Sequence, residues 1–355
     1  MTIRIEPLDT FFFRDGKPFT MGAERWTDTV FPPSPSVFYG ALRTCWLSNQ
    51  VGGFSSKNIA LSENLQINGI FIQINDNLYL PVPKDFVEKK KNKGEHLLTD
   101  KLETVISSKS SLLSVLSVEH KNLIMEDITQ NALFDVNVLK QYLKKQNVDY
   151  YYYSKSSEYL VKESKIGIAR GSDTHTTDEG MLYRVDLNRF KNDENNQIAF
   201  VVDCEGLDSF PKNGKVKLGG EGKLASFELI TQKNIPAPIF ENCNEFKIYL
   251  ATPTIFQNGW LPNWINKTTL LSERSDFEIK LISASIGKYT SIGGFDLVKG
   301  EPKPMYKAVP AGSVYHFQLI KGDIDTVVKA FHGKSISDIE SYRKQGFGLS
   351  YIGKI

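Results

Sequence analysis

Apolar and polar positions alternate from the start of the chain: Ile3 and Ile5 flank Arg4, and the run reaches Phe11-Phe12-Phe13-Arg14 before Asp15-Gly16. A period of two predicts a first strand over residues 2–14, ending in that turn. Ile3, Ile5, Phe11 and Phe13 then share one side, and Arg4, Leu8, Phe12 and Arg14 the other. The first set suits a helix-covered core. Phe12 faces the second side, where it either packs against a second domain, the favoured reading, or stacks on a base.

Pro32, Pro33 and Pro35 forbid helix up to Pro35. Ser34 or Ser36 can cap the helix that follows, "SVFYGALRTCWLSNQ". "LQINGIFIQINDNLYLPVP" predicts two strands joined at Asn75-Asp76-Asn77. A β-α-β-β opening is the first half of a ferredoxin-like fold. From Lys84 to about Lys165 the texture changes: a charged stretch, then "SVEHKNLIMEDITQNALFDVNVLKQYLKKQ", helical in parts. This segment reads as an insertion on the first domain, outside its sheet. Beyond it lie a strand, polar loop and strand over "KIGIARGSDTHTTDEGMLYRVDLNRF", a buried strand in "QIAFVVDCEGL", and a glycine loop entering "LASFELI". A second unit begins near Glu245, with strands in "FKIYLATPTIF", "EIKLISASIGKYTSIGGFDLVKG" and "KAVPAGSVYHFQLI". It continues with a helix "IDTVVKAF" that stops at Gly333 and a last strand after "QGFG". The expected class is α+β, with domains over 1–240 (insertion 84–165) and 241–355.

Composition narrows the chemistry only slightly. The chain has 355 residues, 41% hydrophobic and 24% charged, with a net charge of +2, the balance of a globular protein of about two domains. Nucleic-acid binding would require its basic residues to gather on one face. The three cysteines (Cys45, Cys204, Cys243) are far apart and form no CxxC, so neither a zinc site nor a disulfide framework is expected. "TIRIEPL" offers no signal-peptide pattern, and no apolar run approaches the ~20 residues of a membrane helix. These features predict a soluble, cytoplasmic protein.

Three stretches can carry chemistry. Glycine turns occur at Leu218–Lys223, Ser291–Gly294 and Gln345–Gly353. Glycine backbone can approach a ligand closely, and exposed amides can hold phosphate oxygens. No turn is a Walker loop or a dinucleotide fingerprint, so backbone contact to a polynucleotide or plain strand connection remains. "RGSDTHTTDEGMLYR" holds His175, with Arg170 and Arg184 at its ends. It can act as a general base with phosphate-binding arginines, or it is simply a polar hairpin without a second acid or base. In "DGKPF…FPPSPSVFYGALR", a helix N-terminus can face an anion, and Arg43 stands two turns beyond Ser36. Arg14, Lys17, Arg25 and Arg43 form one patch if the loop folds back. "MEDIT" (Met125–Thr129) reads as an acidic, solvated piece of helix.

Six segments in this order resemble a known family: "IEPLDTFFFRDGKPF", "FPPSPSVFYGALRT", "ARGSDTHTTDEGMLYR", "LGGEGKLASFELI", "IGGFDLVKGEPKPMYKAVPAGSVYHF" and "GFGLSYIG". Together they resemble the Cmr three subunits of type III-B CRISPR effector complexes, in the RAMP superfamily and related to the Cas-five group. The resemblance is weakest over 84–165. It implies two ferredoxin-like, RRM-related domains with glycine-rich loops. It also implies a non-catalytic, RNA-binding subunit without a cofactor that grips the 5′ repeat-derived tag of the crRNA. The implied neighbours are the large polymerase-like subunit and the backbone subunit of the complex. The family's "GGEGR" element ends here in Lys223, which keeps the charge but lacks the bidentate fork of arginine.

The candidate RNA contacts are Arg14, Lys17, Ser36, Arg43, Arg170, His175, Gly219, Gly220, Gly222, Lys223, Lys288, Gly293, Gly294, Gly346 and Gly348. They supply backbone amides and cations for phosphates. The insertion is the candidate for protein contact. Alternative readings are a metal-independent endoribonuclease with His175 as general base, and a protein scaffold whose neighbours hold the RNA.

Overall fold

In the computed structural model the first strand is shorter than the alternation predicts, Thr2–Pro7. The structure describes residues 1–14, 26–89, 96–98, 101–104, 114–117, 125–127, 131–146, 151–170, 177–231, 235–241, 243–296 and 300–355. Pro7 has no N–H for the ladder. The chain rejoins β-structure at Phe11, whose amide and carbonyl bond to the carbonyl and amide of Asn188 (2.7 and 3.0 Å). Helix α1 (Pro35–Asn49) follows with Pro35 in its first turn. Its N-cap is Ser34, whose hydroxyl lies 3.0 Å from that of Ser36. A short helix α2 (Ser56–Ser62) precedes the strands Gln66–Ile74 and Asn77–Pro81.

Two antiparallel sheets organise the molecule. In the first, Gln66–Ile74, Ile198–Glu205, Thr2–Pro7 and Leu224–Ile230 lie side by side in that order. The strand beside Thr2–Pro7 is thus Ile198–Glu205, far along the chain. The predicted hairpin of Gln66–Ile74 with Asn77–Pro81 is present, with Asn77–Pro81 on its outer side. In the second sheet Glu278–Ser285, Val314–Lys321, Glu245–Leu250 and Leu349–Lys354 occupy the same order. α1 crosses between the first two core strands of sheet one. Helix α4 (Ile324–Phe331) crosses between the last two of sheet two.

The segment 84–165 is helical in part, as expected, but it does not stay outside the first sheet. Met125–Asp127 is a strand paired with Phe86–Lys89, not a helix. Ala132–Asp135 extends the first sheet beside Asn77–Pro81. Its Leu133 enters one core and its Phe134 another, so this stretch is wanted on both sides. The helix within the segment is α3, Val136–Leu143, capped by the Asp135 carboxylate accepting from the Asn137 amide.

Both faces of each sheet carry core residues, while the Leu224–Ile230 edge of the first sheet leaves Leu224 and Glu228 exposed. α1 places Phe38, Leu42 and Trp46 over Ile3, Ile5, Phe200 and Val202. α4 and the 252–277 loop cover Ile248, Phe317 and Ile352. The remaining faces meet: Phe71, Leu80 and Val201 from the first sheet, Tyr249, Val314 and Tyr351 from the second, and α3 at their edge. Burying such side chains contributes about 1.5–3 kcal/mol each. The buried Tyr249 hydroxyl donates to the Pro81 carbonyl across the junction (2.6 Å), as a buried phenol requires.

A polar group closes one side of the junction. Tyr142 of α3 donates to Asp85 Oδ2 (2.7 Å), and Lys247 Nζ lies 3.4 Å from the Tyr142 ring centroid. His316 Nε2 is 3.8 Å from Asp85 Oδ2. All four residues are at most 3% exposed. Burial raises the Asp85 carboxyl, with Lys247 and the Tyr142 hydrogen bond opposing. Burial, with Lys247 adding to it, lowers His316 from 6.5 to about 3.

The unfolded chain therefore protonates His316 below pH 6.5, while the folded chain stays neutral there. Stability falls with pH across that window. Urea unfolding should lose about 1.4 kcal/mol from this residue on going from high pH to pH 5.5. His316→Gln should flatten that slope; an unchanged slope would place the titration elsewhere, for example on His332, which burial also lowers.

Candidate nucleic-acid interface

The three phenylalanines separate as the alternation predicts, but Phe12 meets neither open solvent nor the second unit. Phe11 and Phe13 stack in the α1-covered core (ring centroids 5.1 Å apart). Phe12 is buried against Val185 and Leu187. Those two belong to a long hairpin, Leu160–Arg170 with Thr177–Phe190, that hangs from the first unit. The hairpin supplies the cover that sequence reading assigned to another domain.

The loop 218–223 is pinned to the same place. Gly220 donates its amide to the Phe12 carbonyl (2.9 Å), and the Lys223 amide bonds back to Gly220 (3.3 Å). At Gly219 (φ +77°) a Cβ would stand 2.5 Å from the Phe12 carbonyl oxygen, whereas at Gly222 (φ +65°) it would meet open space. Gly219 thus serves close approach, and Gly222 a left-handed turn. The Lys223 ammonium donates to the Thr10 hydroxyl and lies 3.6 Å from Asp9 Oδ2. Its charge helps to fix the loop to the first strand's exit. Lys165 of the hairpin reaches Glu221 (3.3 Å).

Arg14 is exposed at the end of this segment. Lys17, Arg25 and His175 lie outside the described residues, and Arg170 is placed by its backbone alone, opposite Thr177. Arg184 pairs with Asp186 (3.0 Å) and donates to Ser164 (2.7 Å) along the hairpin. Arg14, the glycine loop and the hairpin base therefore come together. Ser36 and Arg43 belong to another group: Arg43 Nε donates to the Ser62 hydroxyl of α2 (2.8 Å).

Gly346 and Gly348 require a correction. Both are buried, and a Cβ would stand 2.8 Å from Ile67 Cγ2 at Gly346 and 2.7 Å from the Ser337 nitrogen at Gly348. Their positive φ (+89° and +83°) lets the last strand's entry press against Ile67 of the first sheet at Gly346 and against Ser337 at Gly348. They are packing glycines, not RNA-facing ones. Lys288, Gly293 and Gly294 gather instead on a two-stranded ribbon, Thr290–Ile292 with Tyr306–Ala308. That ribbon also carries Tyr289 and Lys307, which sequence reading missed. Their signal was the alternation Tyr289-Ser291-Gly293 in "KYTSIGG".

Among the described residues no helix is long and apolar enough to cross a membrane, and no three His, Cys, Asp or Glu side chains form a metal-holding group. Replacing Gly222 by Ala should cost about 1 kcal/mol, the left-handed penalty alone. Gly219→Ala adds a backbone clash and should cost at least about twice that. Urea unfolding of the two variants checks the ranking; equal costs would show that the loop can move off Phe12.

A protein-family model, CRISPR-associated protein (Cas_Cmr3), matches residues 3–355. No curated protein matches the chain. Among solved structures, a chain of the type III-B Cmr-beta complex bound to cognate target RNA and AMPPnP (state 1) is similar in fold. Its TM-score is 0.57 at 18% identity, covering 100% of this chain and 99% of that one. A chain of Cmr-beta bound to cognate target RNA gives 0.56 at 18% identity, covering 99% and 96%.

Proposed function

The chain belongs to the Cas_Cmr3 family of CRISPR-associated proteins, and from that premise we propose that it is a non-catalytic, RNA-binding subunit of a type III-B effector complex. In this reading it grips the 5′ repeat-derived tag of the crRNA and bridges the large polymerase-like subunit to the backbone subunit. The observation that carries the reading is the family match along residues 3–355, which takes in every glycine loop and the long hairpin.

The strand order supports the fold that this function uses. Each sheet runs second, third, first, fourth in its core strands, the order of a ferredoxin-like unit. We read two such units, 1–240 and 241–355, each with one of its two crossover helices replaced. Irregular chain over 251–277 takes that place in the second unit, and the Asn213–Lys217 edge strand in the first. The Phe12-centred corner, with Arg14 exposed above a fixed glycine loop, suits a backbone-reading contact on single-stranded RNA.

An exposed apolar corner suits a protein neighbour better than the insertion does. α2 turns Asn58 and Ser62 inward and leaves Ile59 and Leu61 outside, beside Val51 and Phe54. A soluble surface seldom gathers such side chains without a partner.

Purified protein incubated with labelled repeat RNA in EDTA tests the reading. Binding should weaken roughly ten- to twentyfold between 50 and 200 mM salt, the fall for about three single-strand phosphate contacts, and the RNA should remain intact. Metal-independent cleavage that disappears in His175→Ala would replace this reading with the endoribonuclease one. Unchanged RNA affinity and complex assembly after joint Arg14→Ala and Arg43→Ala substitution would favour the scaffold.

A further inference from the structure

Between its second and third core strands the second sheet carries the ribbon of Thr290–Ile292 and Tyr306–Ala308. Its register pairs Thr290 with Ala308, Ser291 with Lys307 and Ile292 with Tyr306. Opposed residues share a face, and faces alternate along each strand. Ile292 and Ala308 are buried, and Tyr306 meets Tyr342 edge-on (5.4 Å). That face is docked. The other face carries Tyr289, Ser291, Lys307 and Met305, with Tyr289 and Met305 each 51% exposed.

The open face is built to present a ring beside positive charge. Lys307 Nζ stands 5.0 Å from the Tyr289 ring centroid, a cation–π distance that favours a fixed ring. Lys303, two residues before Met305, and Lys288, at the ribbon's end, are also exposed. The first unit adds Lys84, whose stem crosses Gly287: a Cβ there would stand 2.8 Å from Lys84 Cε and 3.0 Å from Nζ. Among the described side chains of 287–308 there are three lysines and one acid, Glu301.

We propose that this open ribbon face is a second single-stranded RNA contact, in which the Tyr289 ring stacks on an unpaired base and Lys303 and Lys307 bind the flanking phosphates, with Lys288 adding positive charge at the ribbon's end. The inference rests on the RNA-binding reading above and adds a site on the second unit, separate from the Phe12 corner. Charge complementarity selects the occupant: an anionic, π-faced polymer matches a lysine-rimmed aromatic, whereas an apolar protein helix would leave three ammonium groups to desolvate. Stacking tolerates any base, so the site confers grip more than sequence choice.

The test uses the full-length protein and a labelled, unstructured RNA of about 12 nucleotides. Tyr289→Ala should weaken binding about 5- to 100-fold without changing the salt slope. Tyr289→Phe should bind within about twofold of the parent, because stacking needs the ring and not the hydroxyl. Lys303→Ala should lower the salt slope by about 0.7, one single-strand phosphate. Photocrosslinking with 4-thiouridine RNA should label the 287–308 peptide. If the parent protein binds no RNA, the functional reading fails and this site with it. If the parent binds and Tyr289→Ala binds equally, with crosslinks elsewhere, only this site is overturned. Unchanged RNA affinity with weakened capture of the complex's other subunits would make the ribbon a protein contact and also overturn the proposal. Unaltered thermal melting of both Tyr289 variants separates lost contact from lost fold.

Discussion

Both sheets carry core residues on both faces, and most of the architecture follows from that constraint. A small antiparallel sheet usually covers one side and leaves the other wet. Here α1 and α4 cover the outer faces, and the inner faces cover each other through Phe71, Val201, Tyr249 and Tyr351. Apolar contact supplies the drive, but hydrogen bonds and charge set the registration. The Tyr249 hydroxyl finds only one carbonyl, that of Pro81. Lys247 must be brought against Tyr142 and Asp85, because an ammonium buried without partners would be far more costly than any single apolar contact is worth. The junction is therefore specific in position as well as sticky. It also explains why Lys84 of one unit lies along Gly287 of the other.

Local features were legible in the sequence, and pairings were not. The α1 start, the Asn75–Asn77 turn and the α4 stop at Gly333 each depend on residues within a few positions of one another, so proline, turn and cap chemistry located them. The neighbour of Thr2–Pro7 is a strand nearly two hundred residues away, and no periodicity carries that information. Phe12 shows the same division. Alternation separated it from Phe11 and Phe13, but what covers it, Val185 and Leu187, depends on a hairpin whose docking is non-local. Met125–Asp127 misled because charged residues on a short edge strand resemble a solvated helix.

The glycines show how a candidate site can be found and partly misread. A sequence shows that a backbone is free of Cβ, not which neighbour uses the space. At Gly219 the neighbour is the Phe12 carbonyl, at Gly346 it is Ile67, and at Gly222 there is none. The first two are explained by packing alone, and the third leaves a turn exposed beside Arg14. Cations divide similarly: Arg43, Arg184 and Lys223 have protein partners that fix helices, hairpin and loop. Residues that look alike in sequence thus differ in which part of the structure each holds in place.

The equal strand order of the two sheets carries this division further. In each unit the connection between the second and third core strands includes an added antiparallel hairpin: 160–190 in the first, after Asn77–Pro81 and Ala132–Asp135 have extended the sheet, and 290–308 in the second. The first hairpin folds one face down on Phe12. The second folds one face down on Tyr342. A hairpin added at this point leaves the core pairings untouched, because both flanking strands keep their sheet partners. Its docked face is then constrained by packing, while its other face is free to vary with what it must touch. A fold whose two sheets pack on each other can still leave a face open, and these two additions are where the proposed RNA contacts lie.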